Sequence, residues 1–276
     1  MSRKGYKCIV VPQKGLARLE VDKTTKEFAE TMGYGQILYA NPKAFLQHFS
    51  DAWILELHNV LKDLLVKDHK TLGIGSGECE HEVRLFLDGY NVIGSDVVAD
   101  SFTPTVSLFP GFRAIEFDVF ASRFSEVFDD LLVTGLDLYY DNDKAQQIFL
   151  SSRFLLRSGG RLVFALRYHD NWATWLIDYL GIPALCALWH IRSYLRGQKV
   201  DHRLKFHGYR RRRREIITMA EQAGFKLGRV CYAGFGVELS RVGLTLTRLK
   251  LLYTILSKFD RHFHWFNNVT IFEFIA

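Results

Sequence analysis

Residues 70–82, KTLGIGSGECEHE, decide how the rest of the chain is read. A short apolar run, Leu72 and Ile74, passes through three alternating glycines, Gly73, Gly75 and Gly77, into an acidic segment that reads as the first turn of a helix. Strand, glycine turn and helix start open a mononucleotide-type βαβ unit, in which glycine lets the backbone pass close to a ligand. The dinucleotide fingerprint G-x-G-x-x-G does not fit: counted from Gly73 its third glycine falls on Glu78, and counted from Gly75 on Glu80. Glu78, Glu80 and Glu82 also crowd a helix N-terminus where a pyrophosphate would need bare N–H groups and the positive end of the dipole. A ligand without phosphate, carrying a cation, suits this loop better.

Further features follow at regular spacing. Residues 91–96, NVIGSD, read as a second strand ending in Asp96, about 20 residues past the loop, the spacing at which a carboxylate meets a ribose hydroxyl. Residues 114–117 form a third strand ending in Asp118, and residues 130–137, DLLVTGLD, a fourth, followed by a helix to Leu156. The turn 157–160, RSGG, leads into a fifth strand, 161–165, RLVFA.

The glycine loop resembles that of class I S-adenosylmethionine (SAM) methyltransferases, whose usual form is acidic-x-G-x-G-x-G, with Gly75 and Gly77 as its first two glycines. Gly73 stands where that family usually has Asp or Glu, and Cys79 where its third glycine falls. Residues 155–164, LLRSGGRLVF, are similar to the family's helix, Gly-Gly turn and central strand. The resemblance spans residues 70 to 167. It implies a Rossmann-like, seven-stranded, mostly parallel sheet of order 3-2-1-4-5-7-6, helices on both faces, an N-terminal helical cap and a helical insertion after strand five. It also implies SAM as cofactor, S-adenosylhomocysteine (SAH) as product, and cofactor contacts at Gly73, Gly75, Ser76, Gly77, Glu78, Asp96, Val97, Asp118, Val119 and Leu136. Asp118 would stand beside the adenine amino group, and Glu78 would be the carboxylate for the cofactor's own amino group.

Composition sets the outer bounds. The 276 residues suit one α/β domain, and 48% hydrophobic with 24% charged residues are the proportions of a soluble globular protein. A net charge of +6 and a pI near 9.1 lean toward anionic partners without choosing among them. Cys8, Cys79, Cys186 and Cys231 form no C-x-x-C pair, so neither a disulfide framework nor a metal site is expected, and a cytoplasmic location is the simplest reading. His262 and His264 lack an acidic or Cys partner nearby, which argues against a metal there.

The flanks divide the domain into an N-terminal cap (1–68), the SAM core (69–167), an apolar lid (168–206) and the C-terminal part of the sheet (207–276). Residues 8–11 read as a strand. Phe45, Phe49, Trp53, Leu57, Leu61 and Leu64 mark residues 42–67 as an amphipathic helix or helix pair. Residues 28–40 between them read as a flap carrying Tyr34 and Tyr39. Residues 172–189, WATWLIDYLGIPALCALW, approach a membrane-spanning length, but Asp178, Gly181 and Pro183 argue against a span. A lid, or a peripheral membrane contact through 172–196, fits better and suggests a small, apolar or lipid-linked acceptor. Five consecutive arginines, 210–214, open a helix ending near Gly224; at 3.6 residues per turn they cannot form one flat face. Residues 225–230 and 268–275 read as the last two strands, with a basic helix, 244–259, between them.

Methyl transfer from a sulfonium is an in-line displacement that gains most from alignment and exclusion of water. A hydroxyl acceptor also needs a proton taken up. Ligands of open α/β sheets bind at the carboxyl ends of the strands, which makes His169, Tyr140 and Asp137 the catalytic candidates. Acceptor contacts fall to Tyr34, Tyr139, Arg167, His207 and Tyr209. The fourth strand lacks the [DN]-P-P-[YF] of methyltransferases acting on nucleobase or Gln amino groups. The favoured reading is methyl transfer to oxygen of a small, lipid-linked or sugar-type acceptor. RNA methylation is an alternative suggested by the charge and the arginine run, and a non-catalytic SAM-fold protein is one suggested by Gly73 and Cys79.

Overall fold

A computed structural model describes residues 9–10, 39–120, 127–167, 180, 184, 205–206, 211–235 and 267–276. A seven-stranded sheet organises residues 39–120, 127–167, 211–235 and 267–276. Its strands are β1 (Thr71–Ile74), β2 (Val92–Asp96), β3 (Arg113–Glu116), β4 (Phe128–Thr134), β5 (Leu156–Arg167), β6 (Lys226–Phe235) and β7 (Asn267–Ile275). Their spatial order is β3-β2-β1-β4-β5-β7-β6. The first five run parallel, and β7 enters antiparallel between β5 and β6. This is the 3-2-1-4-5-7-6 sheet expected from the sequence. A separate two-residue parallel ladder pairs Ile9–Val10 with Lys205–Phe206.

Strand alternation divides the core into two layers. On one face Leu131, Val133, Leu162, Phe164, Phe272 and Phe274 pack with residues of helices α5 (Asn142–Leu155) and α6 (Arg213–Gln222). On the other face Leu132, Val163, Ala165, Val269 and Ile271 meet α2 (Ala52–Leu64) through Leu57, Leu61 and Leu64. Both faces of the central strands are therefore apolar, as a sheet covered on both sides requires. Helices α3 (Glu80–Leu87) and α4 (Ala99–Leu108) follow β1 and β2 as crossovers.

Residues 42–67 form a helix pair. The first member, α1 (Pro42–His48), starts with Pro42 in its first turn behind the Asn41 cap, whose side chain accepts from Ala44 N–H at 2.9 Å. Two sequence expectations are corrected. β4 stops at Thr134 rather than running to residue 137, because Gly135 turns left-handed (φ 77°) and a 3₁₀ turn, Leu136–Tyr139, takes over. The 157–160 segment is not a free turn: it lies inside β5, where Gly159 N–H donates to Ala276 O at 3.1 Å and Ala276 N–H to Gly160 O at 2.8 Å.

Below the sheet's amino ends a buried ion network fastens β4, β5 and β7. Arg161 donates two hydrogen bonds to the fully buried carboxylate of Asp130, at 2.8 and 2.7 Å, and one to Leu64 O at 2.7 Å. His69 Nδ1 lies 3.1 Å from Asp130, and Glu273 sits between Arg161 (3.4 Å) and Arg229 (2.7 Å). The bond to Arg229 holds the Glu273 carboxyl below its ordinary value. Among the described residues no helix is long and apolar enough to cross a membrane. The 172–189 segment, apart from 180 and 184, and the 244–259 helix lie outside the described residues.

Candidate functional site

β1 and β4 are neighbours in the sheet although distant in sequence, so the loops after them meet at a topological switch point, where open α/β sheets place their ligands. The candidate residues of β1, β2, β3 and β4 lie along this carboxyl edge. Gly75 (φ 66°) and Gly77 (φ 53°) both turn left-handed, which gives the loop a bare backbone. Gly75 also accommodates Leu136: a Cβ there would come within 2.6 Å of Leu136 Cδ1. The loop and the 3₁₀ turn after β4 are thus in direct contact.

Asp96 closes the loop from β2. Its Oδ2 accepts Gly77 N–H at 2.9 Å and its Oδ1 accepts Val98 N–H at 3.0 Å. Burial raises its carboxyl despite these donors. Asp118 makes a similar turn after β3, accepting Phe120 N–H at 2.8 Å. Val119 is buried behind it, and Val97 is half-buried beside Asp96. Glu78 accepts from the Tyr39 hydroxyl at 3.0 Å, so the segment entering α1 lies against the loop. Burial first and Glu78 second push the Tyr39 phenol upward.

Tyr140 follows the 3₁₀ turn, packs edge-on to Phe120 (5.0 Å between ring centres) and is buried. Burial, with smaller contributions from Asp118 and Asp96, pushes its phenol up to about 12. It is therefore a proton-bearing group at neutral pH, suited to donate a hydrogen bond rather than to accept a proton. Tyr139 is half-buried against the core. The structure thus brings Gly75, Gly77, Asp96, Asp118, Leu136 and Tyr140 into one region. Tyr34, His169, His207 and Tyr209 lie outside the described residues, as do the side chains of Asp137 and Arg167.

The arginine run is taken apart by the fold. Arg211 is buried, donating from Nη2 to Tyr140 O at 2.5 Å and from Nε to Asn142 Oδ1 at 3.2 Å. Arg213 lies 4.8 Å over the Tyr232 ring and donates to its hydroxyl at 2.9 Å. Arg212 caps α6, its N–H donating to Glu215 at 2.6 Å, while Arg214 is exposed. Arg211 ties the start of α5 to the loop before α6, a role that a count of charges does not reveal.

Two side chains occupy unexpected places. Cys79, at the third-glycine position, caps α3 in the left-handed conformation (φ 60°, ψ 34°) that glycine adopts without strain. Its buried sulfur fills the room beside Gly94, where a Cβ would lie 2.5 Å away. Glu82, in the first turn of α3, is buried with its carboxylate over Gly73 and accepts from Ser76 Oγ at 2.7 Å. Burial pushes its carboxyl up to about 7. The sequence marked Cys79 as a departure without showing that it caps α3, and it gave no role to Glu82, for which the available signal was the glycine at 73 in a segment otherwise rich in glutamates.

No family model matches the sequence, and no curated protein matches it either. Solved structures do match in fold. Magnesium protoporphyrin IX methyltransferase from Synechocystis PCC 6803 with bound SAM superposes with a TM-score of 0.54 at 11% identity, over 95% of this chain and 100% of that one. The 1,6-didemethyltoxoflavin-N1-methyltransferase of Burkholderia thailandensis gives 0.53 at 13% identity, over 96% and 92%. The N-methyltransferase NodS of Bradyrhizobium japonicum WM9 with bound SAH gives 0.52 at 14% identity, over 88% and 96%. With its strand order and its glycine loop at the switch point, the chain has the fold of the class I SAM-dependent methyltransferases.

Proposed function

We propose that the chain is a SAM-dependent methyltransferase whose acceptor is a small, lipid-linked or sugar-type molecule methylated at oxygen. The observation that carries this reading is the loop itself. Gly75 and Gly77 expose backbone at the carboxyl edge of β1, beside the carboxylates of Asp96 and Glu78, and the Gly77 N–H that a phosphate would use is already held by Asp96. Such a site fits a cofactor that is phosphate-free, carries a ribose and bears positive charge.

When bound, SAM supplies an electrophilic methyl group on a sulfonium. The protein's part is to hold the loop, align the acceptor and keep water out. Asp96 and Asp118 would take the ribose and adenine edges, and Leu136 would wall the cavity against Gly75. The Tyr140 hydroxyl would donate to the acceptor, and His169, placed by the sequence just beyond β5, would take the proton of an acceptor hydroxyl. Arg167, Tyr139, Tyr34, His207 and Tyr209 would contact the acceptor, with residues 172–196 as lid or peripheral membrane contact.

The structural relatives support a small-molecule acceptor: one is named for a porphyrin, and another is solved with 1,6-didemethyltoxoflavin bound. RNA is less favoured, because Arg211 and Arg213 are engaged within the fold rather than offered as a basic surface. Calorimetry with SAM and SAH tests the reading. Binding in the micromolar range is expected; no binding of either at submillimolar concentration would remove both enzyme readings and leave a scaffold role.

A further inference from the structure

Position 73 is where the class I loop carries an acid, and here it is a glycine buried in β1. Its space is nonetheless filled by an acid. A Cβ built on Gly73 would overlap Oε1 of Glu82, lying 2.8 Å from Glu82 Cγ and 2.7 Å from Ser76 Oγ. The Glu82 carboxylate therefore occupies the volume that a side chain at position 73 would take, entering from the first turn of α3 instead of from the end of β1.

Its connections run into the loop. Ser76 Oγ donates to Glu82 at 2.7 Å and accepts Ser95 N–H at 3.4 Å. Ser76 N–H donates to Ser95 O at 2.8 Å, and Ser95 Oγ donates to Gly73 O at 2.5 Å. A chain of polar contacts thus joins α3, the glycine loop, β1 and β2, with Glu82 at its end. The acidic groups acting on Glu82 are Glu80 of its own helix and Asp96 of β2, and its charge in turn reaches the Cys79 thiol.

We propose that Glu82 is the loop acid relocated: it supplies from α3 the negative charge that position 73 lacks and, through Ser76, positions the glycine loop for the α-ammonium group that SAM and SAH share at their amino-acid end. This rests on the reading of the loop as a SAM site. A bound cation favours the ionised carboxylate, so affinity rises with pH through the range in which free Glu82 titrates. A purely structural contact with Ser76 could be made equally by a neutral amide and would leave that profile unchanged.

The test is SAH affinity by calorimetry between about pH 6 and about pH 8.5 for wild type, Glu82→Gln, Glu82→Ala, Gly73→Asp and the Gly73→Asp/Glu82→Ala pair, each checked for folding by circular dichroism. Glu82→Gln should bind roughly ten- to hundredfold more weakly at the alkaline end, the range of a hydrogen bond to a charged group, with a flat pH profile. Gly73→Asp alone should bind poorly, since two carboxylates contend for one space. The double variant should recover at least about tenfold over Glu82→Ala. The isosteric Glu82→Gln keeps the test valid if Glu82→Ala does not fold. Wild-type affinity from Glu82→Gln at the alkaline end, or a folded double variant no better than a folded Glu82→Ala, overturns the proposal. A wild type that does not bind SAH overturns the loop reading as well, so the two failures are distinguishable.

Discussion

Replacing Glu82 by glutamine should stabilise the free protein at alkaline pH, and the size of the effect follows from its burial. Its carboxyl titrates at about 7 in the fold against an ordinary value of 4.5, chiefly because it is buried. The sign is fixed by linkage: a carboxyl raised on folding is protonated in the folded state where the unfolded chain is already ionised. Its contribution is complete below the unfolded value and is lost as pH rises through the folded one. At about 1.4 kcal/mol for each pH unit, the gap between the two values makes a loss of about 3 kcal/mol between acid and mildly alkaline solution. For a domain of this size that is on the order of 6–12 °C in melting temperature. Asp96, also raised by burial, drifts the same way, while Asp88 and Glu273, lowered by their basic partners, drift oppositely. All of these are shared by the variant, so the difference between the two stability profiles isolates Glu82. Urea denaturation of both proteins at intervals from about pH 5 to about pH 8.5 reads it directly. Wild type and Glu82→Gln should converge near the acid end and separate as pH rises. Parallel profiles would refute the reasoning, showing either that Glu82 is hydrated in solution or that it has a cationic partner.

Two further outcomes are expected. Asp130→Asn weakens two charge-assisted hydrogen bonds of the half-buried Arg161, which keeps Glu273 at 3.4 Å, and should cost roughly 1.5–3 kcal/mol, with SAH affinity of the folded fraction unchanged because the network lies at the opposite end of the strands; a loss below about 1 kcal/mol in urea titration would mean that water reaches the pair. Tyr140→Phe should leave SAH affinity intact and lower kcat by roughly tenfold once an acceptor is in hand; an unchanged kcat removes the hydroxyl from the reacting centre.

The sheet was legible in the sequence because each central strand is a short apolar run bounded by glycine or a carboxylate. Residues 91–96 and 114–117 fell within one residue of β2 and β3. The end of β4 was not legible, since DLLVTGLD continues apolar past Gly135 and only the left-handed turn there shows where the strand stops. The 157–160 segment carries turn residues yet lies in β5, because Ala276, distant in sequence, supplies its hydrogen-bond partners. The run 210–214 could not lie on one face, but which arginine turns inward was not legible: it is Arg211, which the fold buries. At the candidate site, the left-handed turns at Gly75 and Gly77 and the closure of the loop by Asp96 accord with the order of glycines and carboxylate in the sequence. Glu82 could not be read in this way, because its place over Gly73 is a fact of helix position rather than of motif order.

The insertion of β7 between β5 and β6 has a consequence for the order of assembly. Among the described residues β6 has no neighbour in the sheet other than β7, and β7 is later in the chain than every strand it joins. On a ribosome adding about 5–20 residues each second, β1 to β5 can pair while β6 waits as an unpaired edge. The glycine loop and the carboxylates beside it all precede that point, so the part of the molecule proposed to recognise SAM can form before the sheet is closed. The interval exposes β6 and the apolar flank of β5, and a chain shortened before residue 267 should aggregate through those edges.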